Sequence, residues 1–503
     1  MLCDNISVKD GVLHFAGQNT LMLAEQYGTP LYLLDEDKIR EKCRIYQETF
    51  RKHFGGDARP LYASKANCFK RIYQIMKEEG MGIDVVSSGE ICTAVAAGFD
   101  LRQAYFHSNN KTDADISYAM DNGVGYFVCD SEEEVSAVSA EAVRRGTRQK
   151  ILLRITPGID PHTYEAVATG RVDSKFGSAI ETGQAAAITG HALSAPGIDL
   201  VGYHCHVGSQ VFAEDIFERA ADVMLAFAAD MKARYGYTLS QLDLGGGYGV
   251  RYLESDQSLD IEAKVASVAA ACRKACARYG IDMPQILMEP GRSIVADAGM
   301  TLYTAGSVKR IPGYKVYIST DGGMTDNPRY ALYRSAYTCY VANRMGEQMA
   351  AIELAAAERQ PAEPEPLTVA AASEQPAEPE PITAAAASEQ PAEPEPITAA
   401  AASEQPAQPE PITAAAASEQ PGMLASIVGR CCESGDIIQE AVPVPESVQR
   451  GDIIAVCTTG AYNYSMASNY NRIPRPPIVM LQGGRSYLAV RRESLEDLIR
   501  NDI

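Results

Sequence analysis

Between residues 37 and 300, short apolar runs alternate with amphipathic stretches in a regular order. Residues 60–63, 83–86, 104–107, 126–129, 151–155, 200–206, 241–244 and 286–289 read as strands. Their continuous apolar character is that of strands buried on both faces. Segments such as FKRIYQIMKEEG (69–80) and SEEEVSAVSAEAVRR (131–145) carry helical spacing between them. Eight strands separated by helices predict an α/β fold, a closed (β/α)8 TIM barrel rather than an open doubly wound sheet. After about 300 the texture changes to YKVYIS, YTCYVA and DIIAVCT, separated by turns. These runs predict a C-terminal β-rich domain, a β-barrel or sandwich. The expected organisation is an N-terminal segment, 1–36, packing with the β domain, then a barrel over 37–300. The β-rich domain covers 301–350 and 423–503, and an insertion, 351–422, divides it.

That insertion has its own pattern. Four 15-residue units begin at Ala362, Ala377, Ala392 and Ala407, each close to AEPEPITAAAASEQP. With three prolines per unit and almost no large apolar side chain, they offer no face to stack, and a disordered, solvated repeat is expected. The units also change the reading of charge. Of the formal −20, 11 units come from Glu in residues 362–421, which leaves −9 for the rest. Neither figure suits a basic nucleic-acid-binding face. No run of 18 apolar residues is present and MLCDNISVKD lacks a signal-peptide pattern, so a cytoplasmic protein without membrane spans is expected. The 12 cysteines are scattered and form no CxxC pair, so free thiols are expected and no metal site.

Reactive side chains gather at the predicted C-terminal ends of the strands, where barrel enzymes build their sites. Lys65 follows the first strand, and Ser87, Ser88 and Glu90 follow the second. His107, Asn109 and Asn110 end the third, and Arg154 the fifth. His204, His206 and Ser209 end the sixth, Gly245–Gly247 follow the seventh, and Glu289 to Arg292 close the eighth. LDLGGGYG brings backbone N–H groups toward a bound anion, with neither a P-loop nor a dinucleotide fingerprint present. Taken singly, each residue stays open. Lys65 is a solvated lysine or forms a Schiff base with an aldehyde cofactor. Glu289 is a structural partner of Arg292 or the acid beside a cofactor's pyridine nitrogen. His206 is a satisfied core histidine or a ring stacked on that cofactor.

Together these motifs resemble a known family. YASKAN (62–67), DVVSSGE (84–90), HSNNK (107–111), HTYEAVATGRVDSKFG (162–177), HVGSQ (206–210), LDLGGGYG (242–249) and EPGR (289–292) occur in order. DNPRYALY (326–333), CES (432–434) and GAYNYSMASNYN (460–471) follow. The chain is similar, nearly end to end, to the diaminopimelate decarboxylase family of barrel-type (fold-type III) pyridoxal-phosphate enzymes. HSNNK stands where members often show HGNNK, and Arg430 where they often show proline.

The resemblance implies that Lys65 holds pyridoxal 5'-phosphate, with Asp84 nearby and His206 stacked on its ring. It implies that Ser209, Gly245, Gly246, Gly247, Gly291 and Arg292 hold the phosphate beside Tyr462, and that Glu289 meets the pyridine nitrogen. Arg292, Arg329, Tyr333, Glu433 and Tyr462 would hold the substrate. Lys65, Cys432 and His206 are then the catalytic residues, Cys432 as proton donor. The implied reaction is decarboxylation of meso-2,6-diaminopimelate to L-lysine and CO2, the last step of lysine biosynthesis. The implied assembly is a homodimer in which Cys432 and Glu433 serve the partner's site. A related decarboxylase of arginine, ornithine or carboxynorspermidine, or a non-catalytic cofactor-binding homologue, is the alternative. Such a homologue should have lost Lys65 or Cys432.

Overall fold

A computed structural model describes residues 1–55, 58–159, 173–213, 215–358 and 422–503. Eight strands, Arg59–Ala63, Gly82–Val85, Ala104–Phe106, Tyr126–Cys129, Gln149–Thr156, Ile198–His204, Gln241–Asp243 and Gln285–Met288, pair in chain order. All the pairings are parallel. The eighth strand returns to the first through Leu287↔Arg59 and Met288↔Pro60, closing the barrel. Inside it, Leu61, Tyr105, Val128, Leu152 and Leu287 form a packed layer. The expected strands agree to within two residues, the largest shift being at 200–206. There the strand stops at His204, and Cys205 donates its N–H to Asp243 O at 2.9 Å as the chain turns across the rim.

The helices form because their apolar positions recur every three or four residues. Helix Glu36–Phe54 buries Ile39, Cys43, Tyr46 and Phe50 against the barrel. The Asp35 carboxylate accepts the N–H of Lys38 at its start, while Arg51, Lys52 and His53 complement the dipole at its end. Each large apolar side chain buried this way contributes about 1.5–3 kcal/mol.

The second layer is a sheet in the order Ile437–Val444, Met423–Val428, Lys315–Thr320, Gly299–Ile311, Leu31–Asp35, Ile478–Gln482, Arg485–Val490. Strand Leu31–Asp35 pairs with both Gly299–Ile311 and Ile478–Gln482, so the N-terminal segment enters the C-terminal sheet. Strand Ile453–Cys457 also pairs with Gly299–Ile311 and carries Cys339–Val341 on its other edge. A helix, Met345–Glu358, crosses the boundary expected at 351, because MGEQMAAIELAAAE is built from strong helix formers. The four repeat units lie outside the described residues. Their flanks meet, since a Cβ on Gly422 would lie 2.4 Å from Ala351 Cβ.

Candidate active site

A cavity of about 360 Å³ opens at the C-terminal rim of the barrel, beneath the sheet. Its lining includes Lys65, His206, Ser209, Glu289, Arg292, Arg329 and Tyr462, brought from the barrel rim and from the C-terminal domain. A larger cavity of about 490 Å³ lies at the opposite end, around Val124, Gln149 and Lys150. It contains none of the expected site residues.

Lys65 sits in a single helical turn, Ser64–Ala66, directly after the first strand. The turn is tied to the C-terminal domain. Tyr462 donates its N–H to Ala66 O at 2.5 Å, and Asn67 Nδ2 donates to Gly460 O at 2.8 Å. Walls of protein surround the Lys65 side chain, yet its surface faces the open cavity. Burial pulls its ammonium down, but Asp84, Tyr462 and Glu289 outweigh that and raise it. Asp84 is buried in the second strand and is pushed up to about 6 by burial and by the charge of Glu289. Burial, with Lys65 and Arg154, holds the half-buried His206 imidazole well below its usual range, so the ring is neutral.

The glycine turn after the seventh strand is sterically committed. A Cβ would lie 2.5 Å from Cys205 O at Gly245, 2.0 Å from Glu289 O at Gly246, and 2.1 Å from Gly208 O at Gly247. Gly245 and Gly247 also have φ of 70° and 118°, which glycine alone adopts readily. Gly246 donates its N–H to His206 Nδ1 at 3.3 Å, coupling the turn to the ring. Gly246→Ala is therefore expected to lower unfolding stability by at least about 1–3 kcal/mol, the scale of an overpacked interior. Chemical denaturation of the cofactor-free protein checks this, and an unchanged midpoint would mean the turn can yield.

Two buried arginines share one aromatic ring. Arg292 and Arg329 both stand 4.8 Å from the centroid of Tyr462, and Arg329 also lies 5.1 Å from Tyr333. Arg292 donates to Tyr252 Oη at 2.6 Å and to Ser209 Oγ at 2.9 Å. Neither arginine pairs with a carboxylate among the described residues, and each leaves its Nε without a partner. Two buried guanidinium groups without an acid are costly unless an anion arrives.

Cys432 and Glu433 do not join this cavity. Both are exposed, with the Cys432 N–H donating to Asn471 Oδ1 at 2.9 Å. Their segment is fixed by buried Asp436, which accepts the N–H of Cys431 at 2.7 Å and of Met324 at 2.6 Å. Asp436 thus ties the segment after the insertion to the one before it, close to Arg329.

Residues 36–296 match the family described as pyridoxal-dependent decarboxylase, pyridoxal binding domain, and 395–460 match its C-terminal sheet domain. The chain belongs to the pyridoxal-dependent decarboxylases. It is 37% identical over 493 residues to diaminopimelate decarboxylase of Bacillus subtilis, covering 98% of this chain and 95% of that one. It is 34% identical to diaminopimelate decarboxylase of Staphylococcus aureus, with 98% of each covered. Among solved structures it is similar to diaminopimelate decarboxylase from M. jannaschii in co-complex with L-lysine. That likeness has a TM-score of 0.78 and 26% identity, covering 99% of this chain and 98% of the other. The Helicobacter pylori enzyme complexed with L-lysine gives a TM-score of 0.73 at 26% identity, covering 96% and 98%.

As a pyridoxal-dependent decarboxylase the chain uses pyridoxal 5'-phosphate, and its residues fit that group. The cavity offers an amine at Lys65, a backbone cradle that a single Cβ would fill, and a carboxylate at its closed end. Tyr252 and Phe176 were not expected from the sequence. Tyr252 orients Arg292, and the Phe176 ring lies 4.4 Å from the Arg154 guanidinium. Phe176 lies within the motif 162–177 but carried no assigned role, and Tyr252, an aromatic just past the glycine turn, reads as core. The stretch 162–172 of the matched motif lies outside the described residues. Among the described residues no helix is long and apolar enough to cross a membrane.

Proposed function

We infer that this chain is a pyridoxal-phosphate-dependent carboxy-lyase that converts meso-2,6-diaminopimelate to L-lysine and CO2, the last step of lysine biosynthesis. The observation that carries the substrate reading is the pair of buried, acid-free arginines that share the Tyr462 ring. Diaminopimelate brings a second carboxylate at the end remote from the bond that breaks, whereas ornithine or arginine brings none. A planar guanidinium binds such a carboxylate through two parallel hydrogen bonds.

When bound, the cofactor supplies an electron sink for the bond to the departing carboxylate. The chain's own groups do the rest. Lys65 holds the cofactor through its ε-amine, with Asp84 beside it. The neutral His206 ring offers an apolar face. The Gly245–Gly247 N–H groups, Gly291 and Ser209 hold the phosphate, with Arg292 and Tyr462 adjoining. Glu289 lies as a carboxylate at the ring-nitrogen end. Arg329, with Arg292, Tyr333 and Tyr462, fixes the distal carboxylate, and Glu433 of the partner subunit receives the distal ammonium. Cys432 of the partner subunit delivers a proton to the carbon that lost CO2. The exposure of Cys432 and Glu433 on one chain, away from that chain's cavity, supports a homodimer with shared sites.

Arg329→Lys tests the substrate reading. Lysine keeps the charge but loses the fork, so kcat/KM for meso-diaminopimelate should fall by about 10–100-fold, equivalent to about 1.5–3 kcal/mol. The loss should appear mainly in KM, with cofactor content unchanged. Wild-type kinetics at wild-type cofactor content would remove Arg329 from the substrate site.

A further inference from the structure

At the closed end of the cavity Glu289 is gripped from two sides. Its Oε1 lies 2.8 Å from His107 Nε2, and its Oε2 lies 3.4 Å from His204 Nε2. Both contacts are close but off the line of a straight hydrogen bond. The two imidazoles meet edge to face, with centroids 4.8 Å apart at 73°, and all three side chains are buried. His107 follows the third strand, His204 ends the sixth and Glu289 follows the eighth. Only closure of the barrel brings them together.

We propose that His107 and His204 are positioning residues that flank one oxygen each of the Glu289 carboxylate, fixing the acid's direction toward the cofactor's ring nitrogen. This rests on the assignment of Glu289 to that nitrogen.

A neighbour provides the internal contrast. Asp243, in the seventh strand, is as deeply buried as Glu289. One of its oxygens accepts the Gly245 N–H at 2.8 Å, and its side chain also interacts with Glu289 itself. Burial and then the charge of Glu289 drive Asp243 well above the usual carboxylate range. Burial pushes Glu289 the same way, but the two imidazoles outweigh it and hold the group well below that range. Of these two adjacent buried carboxyls, Glu289 is the one with an imidazole nitrogen beside each oxygen, His107 Nε2 at 2.8 Å and His204 Nε2 at 3.4 Å. An acid left without them would take up a proton in this setting rather than stay ionised. The fixed tilt of the carboxylate serves the same end as the outer contacts that orient metal ligands.

The test is a double-mutant cycle on cofactor binding, which needs no substrate. His107→Phe, Glu289→Gln and the double variant are prepared free of cofactor and titrated with pyridoxal 5'-phosphate, following the visible spectrum. Each single change should raise Kd by about tenfold, and the double variant should be no weaker than Glu289→Gln alone, because residues acting as one unit are not additive. His107→Gln, which keeps a donor near the position of Nε2, should recover part of the loss. If His107→Phe does not fold, His107→Leu, which also removes the donor, supplies the same cycle with Glu289→Gln. The melting temperature of cofactor-free His107→Phe reports any purely structural effect. Losses that multiply in the double variant, or a wild-type Kd and spectrum for His107→Phe, would overturn the proposal. So would stoichiometric zinc on these three ligands in cofactor-loaded protein. Because no amino acid is added, a wrong substrate leaves these outcomes untouched, and a wrong role for His107 leaves the substrate assays untouched.

Discussion

Lys65→Ala protein is expected to fold, to carry no covalently held cofactor, and to lose turnover by more than about a thousandfold, the scale on which a covalent catalytic group acts. The expectation of folding follows from where the side chain lies. Its surface faces the cavity, while the turn that carries it is held by Tyr462 N–H and Asn67 Nδ2, neither of which involves the Lys65 side chain. Borohydride added to wild-type protein should fix pyridoxal phosphate on one peptide, the one containing residue 65. Two other lysines lie in matched motifs and serve as controls. Lys111 is buried against Glu134 at 3.1 Å and Val128 O at 2.6 Å, and Lys175 lies over the Phe176 ring at 4.8 Å. Fixation on either of them, or an active Lys65→Ala protein, would contradict the assignment.

The second large effect concerns Cys432. Cys432→Ala alone is expected to lose most turnover, since the proton for the decarboxylated carbon then lacks its donor; general acids contribute about 10²–10⁴-fold. Mixing inactive Cys432→Ala chains with inactive Lys65→Ala chains and allowing exchange should restore activity. Random pairing of a symmetric dimer makes about half of the dimers mixed, each with one site holding both residues. Deleting residues 362–421 should preserve that complementation. The Gly422–Ala351 contact and the Asp436 bridge between Met324 and Cys431 hold the two flanks without the repeat. Absence of complementation would place Cys432 at its own chain's site. Dissociation of the deleted protein would make the repeat part of the interface.

The barrel was legible because its strands are largely buried. Runs such as ILLRI and LDL are mostly apolar, broken by the single charged residues Arg154 and Asp243, and the residues closing each run sit on one rim. The glycine turn was legible for the same local reason, and the structure adds why each glycine is required. Contacts that depend on closure were not legible. His107 and His204 stood out as rim histidines, but nothing in a linear sequence sets them on the two oxygens of Glu289. The Tyr462 ring shared by Arg292 and Arg329 arises from three segments separated by more than 100 residues overall. Tyr252 reads as an ordinary aromatic until Arg292 is seen to donate to it. Helix Met345–Glu358 was not expected and crosses the boundary set at 351, since alanine-rich sequence forms a helix as readily as it begins a linker.

The most direct measurement is CO2 release by the purified, cofactor-loaded protein from a panel of amino acids. Release from meso-diaminopimelate with stoichiometric L-lysine, and none above background from lysine, ornithine or arginine, is the expected result. It follows from two buried arginines that wait for a distal carboxylate. Faster release from ornithine, arginine or lysine, which carry no such group, would contradict it.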